Sequence, residues 1–226
     1  MKAVILAAGV GSRLGRPFPK ALSELPTGET IMGRQIRILR EQGLREIIVV
    51  VGFKMAILME YFPSVLFKYN PEFYLTNTSK SLLCALEHIE REDTLWLNGD
   101  VVFDDQIIAD IMARGGNVVA VDRKKCGDEE VKYRTDERGR IVEISKTVAE
   151  PLGEAVGINT IGAHHLEVFR QALRECGDKD YFERGMELVI ERGVTFVPMD
   201  VSEYRCIEVD FDEDLKNARS MFAPKG

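Results

Sequence analysis

Between Ala8 and Lys20 the chain gathers residue types that hold anions. Gly9, Gly11 and Gly15 carry no Cβ, so backbone N–H groups there can turn toward an anion without steric cost. Arg13 and Arg16 offer planar guanidinium forks that match phosphate oxygens, and Lys20, behind Pro19, offers a compact movable charge. Together they read as a binding loop for a polyphosphate. An apolar run, Ala3 to Ala8, delivers it, with the length and flanks of a fully buried strand. Residues 1–40 carry seven Lys or Arg against only Glu24 and Glu29, although the whole chain is net −7. That basic excess suits a local anion site, or in part a helix coated by Arg34, Arg37 and Arg40.

Two common phosphate loops do not fit. A Walker loop needs G-x-x-x-x-G-K-[ST], and no Gly-Lys-Ser or Gly-Lys-Thr occurs. A dinucleotide fingerprint needs G-x-G-x-x-G opening directly into a helix. Here Leu14 stands at the third glycine position, and Pro17 and Pro19 oppose an immediate helix. The second strand ends Val51-Gly52-Phe53, where a ribose-binding acid would stand.

The elements that must position the loop follow from periodicity. Thr30 caps a helix from Ile31 to about Gln42, closed by Gly43. Strands are expected over Ile47–Val51, Val65–Tyr69 and Thr94–Leu97. Between them lie a helix at Lys54–Phe62 and one capped by Thr78 or Ser79, with Leu82, Leu83, Leu86 and Ile89 as its apolar stripe. Strands alternating with helices predict an α/β fold with a mostly parallel sheet. Its catalytic rim would hold the Gly9 loop, the stretch from Asn70 and the Gly99-Asp100 turn. The second half is richer in strands: Val118–Val121, a hairpin over 131–145 turning at Gly139, Ala155–Ala163, Thr195–Met199 and Cys206–Val209. Helices marked by Leu166, Phe169 and Leu173 and by Phe182, Met186, Val189 and Ile190 separate them. A terminal helix begins in the acidic turn Asp212-Glu213-Asp214. No linker or repeat interrupts the chain. It is read as one domain, 1–226, with a nucleotide-binding half at 1–115 and an acceptor-binding half at 116–226.

Net charge −7 excludes a nucleic-acid-coating surface. Cys84, Cys126, Cys176 and Cys206 show neither zinc spacing nor a dense disulfide framework, and read as reduced structural thiols. The first apolar run is too short for a membrane span or a typical signal peptide, so no membrane association and a cytoplasmic setting are expected. A homodimer is left open.

Leu6-Ala7-Ala8-Gly9-Val10-Gly11-Ser12-Arg13-Leu14, followed by Pro19-Lys20, resembles the signature of the nucleotidyltransferase superfamily. Its members activate small phosphorylated acceptors with a nucleoside triphosphate. The likeness continues through Asn70-Pro71 and Thr76–Leu82, similar to the base-binding segment of the phosphocholine and phosphonate cytidylyltransferase branch. It extends to Leu97–Phe103, to Glu143–Lys146 with Gly153–Ile158, to Asp180–Glu183 and to Ile207–Leu215. The resemblance implies a Rossmann-like, GT-A-like three-layer sandwich with an elaborated β-rich acceptor side. It also implies transfer of a cytidylyl group from CTP to a phosphocholine-like or aminoethyl- or hydroxyethylphosphonate-like acceptor. In that reading Leu6, Ala7, Ala8, Gly9, Gly11, Ser12, Arg13, Lys20, Asn77, Thr78, Ser79 and Gly99 bind the nucleotide. Arg13, Lys20 and Lys146 serve catalysis, Lys146 by meeting the acceptor's phosphate, and Asp100 and Asp210 hold Mg2+. Lys132, Tyr181 and Glu183 are further acceptor-side candidates, with Phe182 and Tyr204 as aromatic neighbours able to cage an ammonium. A phosphate acceptor is largely ionised near neutral pH, its second pKa being about 6, so positioning and cationic stabilisation are needed rather than a general base. The compact spacing from Arg13 to Lys20 keeps a sugar- or inositol-phosphate nucleotidyltransferase as an alternative. A nucleotide-binding regulatory module without turnover is another.

Overall fold

β1 (Lys2–Ala7) has a parallel neighbour on each side, and its central residues are buried on both faces. The structure, a computed structural model, describes residues 1–11, 18–124 and 126–224. After β1 the first half runs α1 (Ile31–Glu41), β2 (Ile47–Val51), α2 (Met55–Tyr61), β3 (Leu66–Tyr69), α3 (Thr78–Leu86), β4 (Thr94–Asn98), β5 (Val101–Phe103) and α4 (Gln106–Arg114). The second half runs β6 (Val118–Asp122), β7 (Lys132–Thr135), β8 (Ile141–Ser145), β9 (Gly153–Ile161), α5 (Leu166–Glu175), α6 (Phe182–Glu191), β10 (Val197–Asp200), β11 (Cys206–Glu208) and α7 (Asp212–Met221).

The central sheet has the order β10-β6-β9-β4-β1-β2-β3, with the β7–β8 hairpin attached to the start of β9. Along that order the pairings are parallel except at β9, which is antiparallel to both β4 and β6, and the hairpin strands pair antiparallel. From β1 the chain winds outward to β3 and then returns to place β4 on the other side of β1. That reversal opens a crevice at the carboxyl ends of β1 and β4, where ligands bind in open α/β sheets.

Alternating strand residues feed two cores, which makes the three layers. One face, with Ile5, Val49, Leu97 and Ile158, packs on α1 and α4. The other, with Val4, Val50, Trp96 and Val119, packs on α3, α5 and α6. A third cluster seats Leu215 and Ala218 of α7, with Phe222 just after it, against Val102 and Val209. Among the described residues no helix is long and apolar enough to cross a membrane.

Local chemistry explains the boundaries. Thr30 Oγ1 accepts from Gly33 N at 3.0 Å to start α1, and Gly43 leaves it with φ +83°. α3 is capped by Asn77, whose side-chain oxygen accepts from Thr78 N at 2.8 Å, and not by Thr78 or Ser79. Ile89 lies beyond that helix but is buried with its stripe. β5 and α4 are additions to the expected elements; β5 is three residues long and exists by pairing with β11, whose Cys206, Ile207 and Glu208 face Phe103, Val102 and Val101 from far along the chain.

Gly52 closes β2 because nothing larger fits. A Cβ there would lie 2.5 Å from Phe73 Cγ and 2.6 Å from the Ala8 carbonyl oxygen. Gly52→Ala is expected to cost about 1–3 kcal/mol of stability, measured by denaturant unfolding. An unchanged midpoint would show that Phe73 and the β1 end can move apart freely.

Candidate active site

The turn leaving β4 crosses directly over the end of β1. Gly99 N donates to the Leu6 carbonyl at 2.9 Å, and a Cβ on Gly99 would stand 2.8 Å from that oxygen. Gln35 of α1 holds the same turn from beneath, its Nε2 donating to the carbonyls of Asn98 (2.9 Å) and Val101 (2.7 Å). Asp100 therefore projects at the sheet's switch point. Its carbonyl accepts from Val209 N at 3.0 Å, and β11 pairs Glu208 with Val101, so the chain near residue 210 lies beside it. Asp214 Oδ2 accepts from Asp210 N (3.0 Å) and Phe211 N (2.7 Å), fixing the entry to α7.

Asp100, Glu208 and Asp210 consequently form one cluster, with a carboxylate oxygen from each within 4.8 Å of the others. Lys20 sits among them. It stands in a single 3-10 turn, Lys20–Leu22, and its Nζ lies 2.8 Å from Asp100 Oδ2 and 2.6 Å from Asp210 Oδ1. Burial pulls the Lys20 ammonium toward neutrality, but the two aspartates outweigh it and hold its pKa above the ordinary lysine value. Glu208 moves the other way for a carboxylate: surrounding protein raises its pKa, Asp100 and Asp210 raise it further, and Lys20 opposes them. One oxygen of Asp100, Oδ1, is buried and receives no hydrogen bond. An all-carboxylate donor set with an unfilled buried oxygen fits a hard divalent cation such as Mg2+.

The cluster lines a cleft of about 550 Å³ whose wall also includes Leu6, Gly9, Lys146, Tyr181 and Glu183. Leu6, Ala7 and Ala8 form and follow the end of β1, and Gly11 (φ +62°) packs near the Lys20 side chain. Ser12 and Arg13 lie outside the described residues. Thr78 faces the cleft, and its Oγ1 accepts from Phe182 N at 3.1 Å, tying α3 to α6. Asn77 caps α3 and donates to the Lys179 carbonyl (3.2 Å). Ser79 is fully buried, so its side chain is not on the cleft surface.

On the far side, Lys146 Nζ lies 3.3 Å from Glu129 Oε2 and 4.9 Å above the Tyr181 ring. Lys132 points Nζ at the Lys146 carbonyl (2.8 Å), so it braces Lys146 and does not line the cleft. Phe182 borders the cleft with an edge but is a core residue, set edge-on to Trp96. Tyr204 is elsewhere: its hydroxyl donates to Asp110 Oδ2 of α4 at 2.6 Å, removing it from any ammonium cage. Glu208, Glu154 and Glu130 also line the cleft and were not singled out from sequence. Glu208 was findable, because strand alternation puts it on the same side as Asp210. Glu130 and Glu154 carry no such signal; only the folding of β9 against the hairpin brings them to the cleft.

The MobA-like NTP transferase domain family matches residues 3–191, and the chain belongs to that family. Among curated relatives, it is 33% identical over 122 residues to CMP-5'-(3-aminopropyl)phosphonate synthase of Streptomyces rubellomurinus, covering 50% of this chain and 19% of that protein. It is 26% identical over 234 residues to CTP:phosphoglutamine cytidylyltransferase of Campylobacter jejuni, covering 98% of this chain and 85% of that one. The chain spans 19%, 42% and 60% of the length of three curated relatives that it matches. The fold is that of CTP:phosphocholine cytidylyltransferase from Streptococcus pneumoniae (TM-score 0.80, 20% identity, 97% of each chain). It is equally that of inositol-1-phosphate CTP transferase from T. maritima (TM-score 0.83, 16% identity, 98% of this chain and 95% of that one). The nucleotidyltransferase fold expected from the loop is thus the fold found.

Glu183, in the first turn of α6, is only 6% exposed, and burial pushes its carboxyl up to about 7. Its own backbone N–H and Lys146 oppose that rise, while Glu187 adds to it. With a folded pKa above the unfolded one, the native state holds a proton that the unfolded chain has released between about pH 4.5 and 7. Stability from this group is therefore lost as pH rises through that window. Glu183→Gln should raise the melting temperature more at about pH 8 than at about pH 5, a difference worth roughly 1–3 kcal/mol. Equal shifts at both pH values would show that Glu183 is ionised at no cost.

Proposed function

We propose that the protein transfers a cytidylyl group from CTP to a small phosphate or phosphonate acceptor, with release of pyrophosphate. The observation that carries this reading is the Lys20–Asp100–Glu208–Asp210 cluster at the switch point, whose carboxylates line a cleft together with Gly9. The whole chain is read as one transferase unit, with the triphosphate at the β1 end and the acceptor toward Lys146.

An acceptor oxygen attacks the α-phosphorus, the new P–O bond forms, and the bond to the β-phosphate oxygen breaks with its electron pair leaving on pyrophosphate. The acceptor arrives ionised, so no side chain has to take a proton. Glycine-loop N–H groups and Arg13 hold the outer phosphates, following the resemblance. Lys20, kept charged by its aspartates, neutralises negative charge that grows on the α-phosphate oxygens. Asp100 and Asp210, with Glu208, would hold Mg2+, and the ion when bound would offset phosphate charge and fix the geometry of the triphosphate. Lys146 meets the acceptor's phosphate or phosphonate group, held in place by Lys132 and Tyr181.

The choice of CTP is supported by relatives and fold neighbours whose names specify cytidylyl transfer. Inositol-1-phosphate transfer by a protein of this fold favours a second reading, in which the acceptor is a polyol or sugar phosphate.

Pyrophosphate release measured for each nucleoside triphosphate against a panel of acceptors tests the assignment. CTP should support release with at least one small phosphate or phosphonate acceptor; release confined to polyol or sugar phosphates would transfer the assignment to the second reading, and release only with UTP or dTTP would overturn cytidylyl transfer. Lys20→Ala and Asp100→Asn should each lower kcat by about 100- to 1,000-fold, with circular dichroism unchanged. Near-native rates in both would remove these residues from the reaction.

A further inference from the structure

The resemblance places Thr78 among the nucleotide contacts, but its hydroxyl oxygen already serves the protein, accepting from Phe182 N at 3.1 Å. Thr78 opens α3 and Phe182 opens α6, so this bond joins the starts of two helices. Other bonds run alongside it. Asn77 N donates to the Asp178 carbonyl (2.8 Å), Asn77 Nδ2 to the Lys179 carbonyl (3.2 Å) and Ser79 N to the Asp180 carbonyl (3.3 Å). Lys80 Nζ reaches the carbonyls of Leu173 (3.2 Å) and Arg174 (3.1 Å) in the last turn of α5. The start of α3 therefore grips the segment between α5 and α6 at three consecutive carbonyls and then holds the first N–H of α6.

That last bond completes a helix that does not cap itself. The first N–H groups of a helix have no partner within it, and a Ser, Thr, Asp or Asn at the N-cap usually takes one. The N-cap of α6 is Tyr181, whose side chain caps nothing. Thr78 supplies the acceptor from another helix. Tyr181 is 41% exposed, so packing constrains its ring weakly and the backbone at the start of α6 decides where the ring lies. The ring stands 4.9 Å from Lys146 Nζ, and Thr78, Tyr181 and Lys146 all line the cleft. One hydrogen bond thus connects the start of α3 to the lysine assigned to the acceptor.

We infer that Thr78 is a positioning residue for the acceptor, whose hydroxyl caps α6 and thereby holds the Tyr181 ring against Lys146. This role rests on the transferase reading and differs from the nucleotide contact that the resemblance implies. The two roles separate by what the hydroxyl serves. If it serves CTP, removing it weakens nucleotide binding. If it serves α6, removing it leaves CTP binding alone and weakens use of the acceptor through Lys146. Thr78→Val removes the oxygen and keeps the branched shape, whereas Thr78→Ser keeps the oxygen and drops the methyl.

The test compares the native chain with Thr78→Val, Thr78→Ser, Tyr181→Leu and the double variant of Thr78→Val with Tyr181→Leu. Pyrophosphate release with CTP and Mg2+ gives kcat and acceptor KM. The acceptor is whichever of phosphocholine, aminoethylphosphonate, inositol 1-phosphate and glucose 1-phosphate the native protein uses best. Calorimetry gives the CTP Kd. Thr78→Val should raise acceptor KM about 3- to 10-fold while the CTP Kd stays within about two-fold of native. Tyr181→Leu should produce a similar rise, and Thr78→Ser should bring KM back close to native. The double variant should do little more than either single change, because both act on one contact. Weaker CTP binding with a native acceptor KM in Thr78→Val overturns the inference, as does an unchanged KM in Thr78→Val or in Tyr181→Leu. A Thr78→Ser protein as impaired as Thr78→Val overturns it too, as do additive effects in the double variant. Any of these outcomes beside native turnover leaves the transferase reading standing. A native protein that releases no pyrophosphate with any acceptor overturns the transferase reading, and the acceptor role of Thr78 with it.

Discussion

Asp100, Glu208 and Asp210 bring three carboxylates within 4.8 Å of one another, and like charges at that separation repel strongly once protein replaces water around them. A neighbouring cation or a proton retained on Glu208 offsets that repulsion. In this structure the cation is the Lys20 ammonium, in direct contact with two of the three. Much of the surrounding architecture serves to make that meeting hold. Gly99 lets the β4 turn cross the β1 end, Gln35 grips the turn through two carbonyls, and β5 with β11 carries Glu208 and Asp210 to Asp100. Removing the lysine would leave partly buried carboxylates uncompensated, which is more disruptive than losing a surface ion pair.

The same cluster orients the cleft. Gly9 lines the cleft and Lys20 stands at the switch point, while Lys146 and Lys124 line the same cleft among acids. The charge of the first 40 residues turns out to be divided between two jobs. Arg34 donates to the Phe103 carbonyl (3.0 Å) and to Asp105 (2.8 Å), Arg37 bridges Glu29, Glu41 and Asp105, and Arg40 binds Ser64. These arginines fasten α1 to the structure beneath the site. None of them lines the cleft.

The second half of the chain shows how a small insertion of antiparallel structure changes a parallel sheet. β9 enters between β4 and β6 and runs against both, and its first residues carry the β7–β8 hairpin over the cleft. Gly153 permits this close start, since a Cβ there would stand 2.1 Å from the Asp122 carbonyl oxygen. Glu154, next in line, is thereby delivered to the cleft wall beside Lys124.

Periodicity and capping were enough to read most of the fold, because buried strands and amphipathic helices are dictated by local apolar spacing. The runs at Ala3, Ile47 and Thr94 and the Thr30-to-Gly43 helix needed no distant partner to be recognised. β5 escaped, being too short to show a period and stabilised by a strand far along the chain. Within the site, glycine spacing and Pro19-Lys20 identified the loop type, and Asp100 and Asp210 stood out through the motifs around them. The sequence alone determined what kinds of groups were present and that one stretch, Gly9 to Lys20, carries residue types suited to holding phosphate. Only the tertiary structure decided which groups meet: that Lys20 lies between Asp100 and Asp210, that Glu208 joins them, that Tyr204 faces away, and that Glu130, Glu154 and Glu183 line one cleft. The physical reason is that contact between charges separated by tens to hundreds of residues depends on strand order and register, which the long-range packing of the sheet sets and no local pattern records.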